Sequence, residues 1–326
     1  MEFRTTIHIK KQEPGISYSD KIMMFGSCFA ENIGEKLQKS KFQTLVNPFG
    51  ILYNPESIHA SLERILEKKL FSENELFEHE GVWKSFSHHS RFAELTSEAF
   101  LENANKKLEE ASEFLQTTDF LIITFGTSWI YRLKESGKVV SNCHKLPGTL
   151  FIREKLTPDA IVETYTALIR KLLQIRPKIN VIFTVSPIRH WKDGAHENQL
   201  SKATLLLAIE QLQCLFPTNT GYFPAYEIVL DELRDYRFYA EDMIHPNETA
   251  IRYIWERFSG CFFSEETEKQ LAEIEKLHSA IRHRPFNPQS KAFQEFIRKN
   301  LKLLEGMEKK YPGVDFREER GYFNLF

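Results

Sequence analysis

The chain has 326 residues, of which 42% are hydrophobic and 27% charged, as is typical of a globular protein with one or two domains. Its formal net charge of −2 gives no reason to expect nucleic acid as a partner. The sequence contains no apolar run long enough to span a membrane, and its first residues lack a long apolar segment, so we expect no signal peptide. The four cysteines are widely scattered, so we expect a reduced, cytoplasmic setting, with export of a processed form as the alternative.

The first predicted unit is a strand, a tight turn and a helix. Ile22–Phe25 is short and apolar, which favours a buried strand, and apolar residues at helical spacing predict a helix over Ala30–Lys39. Gly26 and Ser27 lie in the turn between them. Free N–H groups at a helix N-terminus stabilise an anion, so Ser27 is a candidate nucleophile. A purely structural Gly-Ser turn is the alternative.

The second predicted strand, Phe42–Val46, precedes the stretch Asn47-Pro48-Phe49-Gly50. Gly50 allows close approach of its backbone N–H to a substrate, which makes it a candidate oxyanion donor. A helix is predicted over Glu56–Lys69. Residues 70–118 are predicted to form an insertion or helical cap, which includes a helix over Ser97–Gln116.

The third predicted strand, Phe120–Phe125, is apolar on both faces, as a parallel strand covered by helices should be. Ser128 follows it at the same edge of the sheet as Ser27. A hairpin turn at Glu135–Lys138 then leads to Asn142. Both Ser128 and Asn142 are candidate oxyanion donors, and local turn geometry is the alternative role for each.

The fourth predicted strand, Asn180–Val185, follows a helix over Pro158–Gln174 and precedes Arg189. Arg189 is a candidate contact for an anionic substrate, with a structural ion pair as the alternative. A helix over Gln199–Leu215 and a weaker strand near Ile228–Leu230 come next.

Asp242 and His245 are three residues apart, just before a predicted helix over Glu248–Phe258. At this spacing the carboxylate of Asp242 can hold the imidazole of His245 in the tautomer that accepts a serine proton. The alternative is that Asp242 caps a helix and His245 is a surface residue.

Alternating strands and helices predict a three-layer α/β/α sandwich with a parallel sheet over residues 1–262. From Glu265 to Lys309 the chain is rich in Glu, Lys, Leu and Ile, with a break at Arg284–Pro288. This pattern predicts a C-terminal helical extension over residues 263–326, made of two amphipathic helices.

Two other chemistries compete with a serine nucleophile. Cys28 and Cys143 are possible nucleophiles, although a buried thiol more often acts as a small hydrophobic group. A metal site of Cys28, Cys143 and His144 lacks a fourth ligand at diagnostic spacing, so no metal is expected.

Several stretches together resemble the GSCFA family, a branch of the SGNH/GDSL-type hydrolase superfamily. The family motif is present as Gly26-Ser27-Cys28-Phe29-Ala30. Other similar stretches are Asn47–Asn54, Asn142–Lys145, Ser186–His190 and Tyr222 to His245. The resemblance covers roughly residues 20–260 and implies a flavodoxin-like fold.

The resemblance also implies roles for individual residues. It matches Ser27 to the nucleophile block, Gly50 to the glycine block, and Asp242 with His245 to the terminal Asp-x-x-His block. The chain departs from the pattern at Ser128, where the superfamily has an asparagine that serves as an oxyanion donor. Asn142 is the predicted replacement.

We therefore predict a soluble serine hydrolase that cleaves a carboxylic ester, such as an acetyl or other short acyl ester, through an acyl-enzyme. Its expected substrate is a small-molecule or glycan ester, and no cofactor is expected. One alternative is an acyltransferase using the same Ser-His-Asp site, and another is a non-catalytic ligand-binding protein. The sequence does not indicate an oligomeric state.

Overall fold

The computed structural model describes residues 5–282 and 286–325. Its strands are β1 (Lys21–Gly26), β2 (Gln43–Val46), β3 (Leu76–His79), β4 (Val82–Ser85), β5 (Phe120–Phe125), β6 (Trp129–Leu133), β7 (Val139–Val140), β8 (Phe151–Lys155), β9 (Asn180–Val185) and β10 (Thr220–Phe223). Its α-helices are α1 (Cys28–Lys39), α2 (Pro55–Glu67), α3 (Ser97–Leu115), α4 (Pro158–Ile175), α5 (Gly194–Leu215), α6 (Ala225–Glu227), α7 (Glu248–Phe262), α8 (Glu265–Arg282), α9 (Lys291–Lys310) and α10 (Arg317–Phe323).

A five-stranded sheet forms the centre of the fold, in the order β10-β9-β5-β1-β2, and every neighbouring pair is parallel. Counted along the chain, these five strands have the order 2-1-3-4-5 of the flavodoxin-like fold. The predicted parallel α/β/α architecture is therefore confirmed. The strand order reverses between β1 and β5, and ligands of such sheets bind beyond the carboxyl ends of the strands at this point.

Helices cover both faces of the sheet. Along β1, Ile22 and Met24 pack on one face with α1, α7 and the C-terminal helices. Met23 and Phe25 point to the other face and pack with α2, α3, α4 and α5. This alternation follows from the two-residue period of a strand and explains why the strand is apolar throughout.

The fifth strand differs from the sequence prediction. Ile228–Leu230 lies in a helical segment with π-type hydrogen bonding, Ile228–Glu232, whereas the edge strand of the sheet is β10. Ile228 and Val229 are buried, so their apolar character reflects burial of a helical turn. Short apolar runs of this kind do not distinguish a strand from a buried helix.

Residues 70–118 combine two kinds of structure. The antiparallel hairpin β3–β4 is an addition beside the main sheet. The helix α3, in contrast, lies between β2 and β5 along the chain, and its Phe100, Ala104 and Leu108 pack with the sheet residues of β1 and β5. It therefore serves as a crossover helix of the central fold, rather than as part of an insertion or cap.

A second antiparallel sheet, of order β7-β6-β8, follows β5 directly. The predicted hairpin turn at Glu135–Lys138 joins β6 to β7. Because only three residues separate the end of β5 from the start of β6, this small sheet lies at the carboxyl edge of the central sheet.

The C-terminal region is helical, as predicted, with α8 and α9 followed by the additional helix α10. The predicted break includes Arg284 and Pro285, which lie outside the described residues. Leu277, Leu304 and Phe323 belong to the same buried cluster as Ile22 of β1. Over the residues described, none of the helices is both long and apolar enough to cross a membrane.

Candidate active site

Ser27 lies at the carboxyl end of β1, where the strand order of the sheet reverses. It is the N-cap residue of α1 and only 2% exposed, and its Oγ accepts a hydrogen bond from the N–H of Phe29 at 3.3 Å. Its hydroxyl donates to the hydroxyl of Ser186, which follows β9, at 3.1 Å. The N-terminus of α1 therefore faces the Oγ of Ser27, as the sequence predicted.

Gly26 is required for this turn. Its φ is +147°, and a Cβ at this position would lie 2.6 Å from Thr124 of the neighbouring strand β5. Its N–H donates to the side chain of Asn47 at 2.8 Å, which ties the turn to the loop after β2. A larger residue would therefore push β1 away from β5 and displace Ser27.

Asp242 and His245 form a hydrogen-bonded pair in the loop before α7. Nδ1 of His245 and Oδ2 of Asp242 are 2.5 Å apart, and Oδ1 of Asp242 accepts the backbone N–H groups of Ile244 and His245, each at 2.9 Å. These backbone bonds, together with the imidazole, lower the pKa of Asp242 to about 2. The carboxylate is thus ionised at neutral pH, and it leaves Nε2 of His245 as the nitrogen available to a substrate or to a serine.

Arg189 holds the loop that carries this pair. Its guanidinium donates to the backbone carbonyl of Met243 and lies 5.1 Å from the ring centres of both Trp191 and Tyr239. Met243 has a φ of +59°, a left-handed conformation that is uncommon for a residue with a side chain. The contact therefore stabilises a strained turn, and Arg189 forms no ion pair with a carboxylate within the described residues.

Ser27 and His245 line one cavity of about 530 Å³, although more than 200 residues separate them in the chain. This volume lies in the usual range for a small-molecule site. Its other lining residues come from the loops after β1, β2, β5 and β9 and from the small sheet. They include Cys28, Tyr53, Asn54, His89, Thr127, Trp129, Tyr131, Asn142, Cys143, Arg153, Ser186, Arg189, His190, Trp191, Lys192 and Asp193.

The three predicted oxyanion donors have different positions. Gly50 is not among the cavity-lining residues, and its N–H donates to the carbonyl of Asn47 at 2.8 Å. Ser128 is fully buried outside the cavity, and both its N–H and its hydroxyl bond to the hydroxyl of Ser201. The prediction that Gly50 and Ser128 are oxyanion donors is therefore wrong, because their donor groups already bond to Asn47 and Ser201.

Asn142 does line the cavity. Its Oδ1 accepts the N–H of His144 at 2.8 Å and so stabilises the local loop. Its Nδ2 has no hydrogen-bond acceptor within the described part of the chain. The oxygen of Asn142 therefore serves the local turn geometry, one of the two roles expected from the sequence. Its nitrogen is free to serve the other role, that of a hydrogen-bond donor at the cavity.

Neither cysteine at the cavity is poised as a nucleophile. Burial raises the pKa of the Cys28 thiol, whose sulfur lies 4.0 Å from the hydroxyl of Tyr53. Burial likewise raises the pKa of Cys143. Both thiols are therefore protonated at neutral pH, whereas a reactive cysteine requires a thiolate.

Lys202 is a feature of the site that the sequence prediction missed. It is 1% exposed, and its Nζ donates to the carbonyls of Gly126 and Ser186, each at 2.7 Å. It thereby joins the residues that follow β5 and β9, of which Ser186 lines the cavity. Burial lowers the pKa of Lys202 to about 7. Lys202 lies on the same face of α5 as Leu205 and Ile209, and this spacing could have indicated from the sequence that it is buried.

The fold and the site define a doubly wound α/β protein with a buried serine and an Asp–His pair at one cavity. The model of the GSCFA family matches residues 21–258, and that of the GSCFA domain protein C-terminal domain matches residues 274–325. The chain belongs to the GSCFA family. No protein with curated annotation matches it.

Two solved structures are similar to the chain at low identity. A carbohydrate esterase family 3 protein from Talaromyces cellulolyticus is 9% identical, with a TM-score of 0.34, over 79% of this chain and 99% of that one. The acetyl xylan esterase Est2A from Butyrivibrio proteoclasticus is 10% identical, with a TM-score of 0.38, over 75% of this chain and 64% of that one. Similarities at this level do not transfer an activity.

Proposed function

We propose that this protein is a serine hydrolase that cleaves a carboxylic ester of an acetyl or other short acyl group, on a small molecule or a glycan. The observation that carries the proposal is the shared cavity of Ser27 and His245, with Asp242 already bonded to the far side of the imidazole. Nucleophile, base and orienting carboxylate are the three parts that acyl transfer to a serine requires.

In this mechanism the hydroxyl of Ser27 turns from Ser186 toward His245 as its oxygen attacks the acyl carbon. Nε2 of His245 takes the serine proton and returns it to the alcohol that leaves, so that an acyl-enzyme remains. A water molecule then gives a proton to His245 and attacks the same carbon. As the bond to Ser27 breaks, His245 returns this proton to the Ser27 oxygen and the carboxylic acid is released. Asp242 keeps Nδ1 protonated and stabilises the imidazolium formed in each step.

The negative charge of each tetrahedral intermediate needs convergent hydrogen-bond donors. The backbone N–H groups of Ser27 and Cys28 lie at the N-terminus of α1, beside the hydroxyl of Ser27. Nδ2 of Asn142 is a side-chain donor that also lies at the cavity. We assign the oxyanion to these three groups in place of Gly50 and Ser128.

A fluorophosphonate probe and a series of p-nitrophenyl esters of increasing acyl length test this proposal. The wild-type protein should be labelled and should hydrolyse the short esters. Ser27→Ala should abolish labelling and lower kcat/KM by at least about 10³-fold, since removing the nucleophile leaves only binding and oxyanion stabilisation. Cys28→Ala, one residue away in the same turn, is the matched control and should keep most of the activity.

Loss of activity in Cys28→Ala with retention in Ser27→Ala would contradict the serine mechanism. A wild-type protein that neither reacts with the probe nor hydrolyses any ester would favour the binding protein. An acyltransferase would form the same acyl-enzyme but pass the acyl group to an acceptor other than water. Offering a sugar in competition with water separates the two, because an acyltransferase should acylate the sugar hydroxyl whereas a hydrolase should release the free acid.

A further inference from the structure

The charged side chains around the cavity are mostly cationic. Arg153, Arg189 and Lys192 line it, whereas Asp193 is the one carboxylate among the described lining residues. Asp193 is already paired with the guanidinium of Arg153. The cavity thus carries two cations without a carboxylate partner in a chain whose formal net charge is −2, so its positive charge is a local feature.

The two uncompensated cations differ in what they can bind. Arg189 is engaged by the carbonyl of Met243 and by two aromatic rings, as described above. Lys192 is exposed, and its Nζ donates one hydrogen bond, to the hydroxyl of Tyr131 at 2.8 Å. An ammonium group has three donors, so two remain available to a ligand.

Tyr131 adds a second donor next to the ammonium group. Its oxygen accepts from Lys192, and its own proton has no acceptor within the described part of the chain. Arg153 lies 5.5 Å from the centre of the Tyr131 ring and adds positive potential behind it. Two donors 2.8 Å apart match the spacing of the two oxygens of one carboxylate, which can accept one hydrogen bond from each.

We propose that Lys192 and Tyr131 form a subsite for an anionic oxygen group, and that the ester substrate carries such a group in addition to its ester. This inference rests on the proposed function, because the subsite shares its cavity with Ser27 and His245. It narrows the substrate class from esters in general to esters that carry a carboxylate or a group of similar charge.

Two matched pairs of esters test the subsite. On the acyl side, 4-nitrophenyl hemisuccinate is compared with 4-nitrophenyl butyrate, which has the same number of acyl carbons. On the alcohol side, 4-acetoxybenzoate is compared with phenyl acetate. The uncatalysed hydrolysis of each ester is measured without protein and subtracted, and the charged-to-neutral ratio of kcat/KM is then formed for each pair. The wild-type protein should prefer the charged member of at least one pair.

Lys192→Gln should lower that charged-to-neutral ratio by about 10-fold or more, the usual effect of losing one charge-assisted hydrogen bond. Lys155→Gln is the matched control. Lys155 lies on the same small sheet as Tyr131, but it pairs with Glu197 at 3.2 Å and does not line the cavity. Its substitution should leave the ratio unchanged. A wild-type ratio at or below one for both pairs, or equal effects of the two substitutions, would overturn the proposal.

A binding experiment separates this proposal from the proposed function. In Ser27→Ala protein, 4-hydroxybenzoate should bind more tightly than phenol by titration calorimetry, and adding Lys192→Gln should remove the difference. If no ester is hydrolysed but this difference is seen, the subsite stands and the hydrolase proposal fails. If esters are hydrolysed but 4-hydroxybenzoate and phenol bind alike and the charged esters are not preferred, the subsite proposal fails.

Discussion

Replacing Lys202 by methionine should change how the stability of the protein depends on pH. The folded protein surrounds the Nζ of Lys202 with the carbonyls of Gly126 and Ser186 and with the ring of Tyr226, whose centre is 5.5 Å away. A neutral amine has two N–H donors, which match these two carbonyls. The third proton of the ammonium form has no oxygen to bond, so the buried site favours the neutral amine.

The direction of the effect follows from the two pKa values of this amine. The pKa of Lys202 falls from 10.5 to about 7 on folding. Between these values the unfolded chain binds more protons than the folded chain, so the free energy of unfolding rises with pH, at most by about 1.4 kcal/mol per pH unit. With the group half-protonated at pH 7, the gain between pH 7 and pH 9 is about 2 kcal/mol.

The substitution Lys202→Met removes this gain and leaves two buried carbonyls without their donor, at a cost of about 1–3 kcal/mol each. The stability of the variant relative to the wild type should therefore fall by about 2 kcal/mol from pH 7 to pH 9, whatever its value at pH 7. Urea unfolding followed by circular dichroism at both pH values measures it. Groups that titrate equally in the two proteins cancel in this difference.

Lys171→Met provides the control, because Lys171 is an exposed lysine whose pKa is raised by Glu63 and so stays protonated up to pH 9. Its stability difference from the wild type should not depend on pH in this range. A difference for Lys202→Met that is equally constant from pH 7 to pH 9 would refute the argument that burial drives the amine toward its neutral form.

Three further outcomes are expected. Asn142→Asp should keep the loop bond to His144 but place a carboxylate at the oxyanion, lowering ester turnover by about 10²–10³-fold; near-normal turnover in a folded variant would contradict the oxyanion role. Gly126→Ala would bring a Cβ to 2.9 Å from the carbonyl of Tyr53, and a lower melting temperature in a thermal scan checks the expected strain. His88→Phe should raise the free energy of unfolding by about 1–3 kcal/mol in urea titrations, because both ring nitrogens of His88 are buried without hydrogen-bond partners; an unchanged or lower value would show that the larger ring does not fit.

The sequence predicted those features that depend on local order along the chain. The central strands Phe120–Phe125 and Asn180–Val185 were predicted with their observed ends, because each is a short, mostly apolar run that is buried on both faces of the sheet. Asp242 and His245 lie close enough in sequence for their contact to be inferred from spacing alone.

Features that depend on distant partners were predicted poorly. Ser128 was assigned to the cavity because it follows a central strand, but its hydrogen-bonding groups are satisfied by Ser201, on a helix more than 70 residues later. Lys202 was not selected because a lysine in an amphipathic helix ordinarily marks the solvent face. In each case the deciding partner is far away in the chain and close in space.

The buried cluster that joins β1 to the C-terminal helices has a consequence for synthesis. Leu304 and Phe323 belong to the same core as Ile22 and Met24 but follow them in the chain by 280 residues or more. Since chains grow from the N-terminus at about 5–20 residues per second, this core stays incomplete for on the order of 10–60 seconds after β1 is synthesised. A nascent chain interrupted before α9 would leave the apolar residues of this core that contact the C-terminal helices uncovered, so these helices complete the core late in biosynthesis.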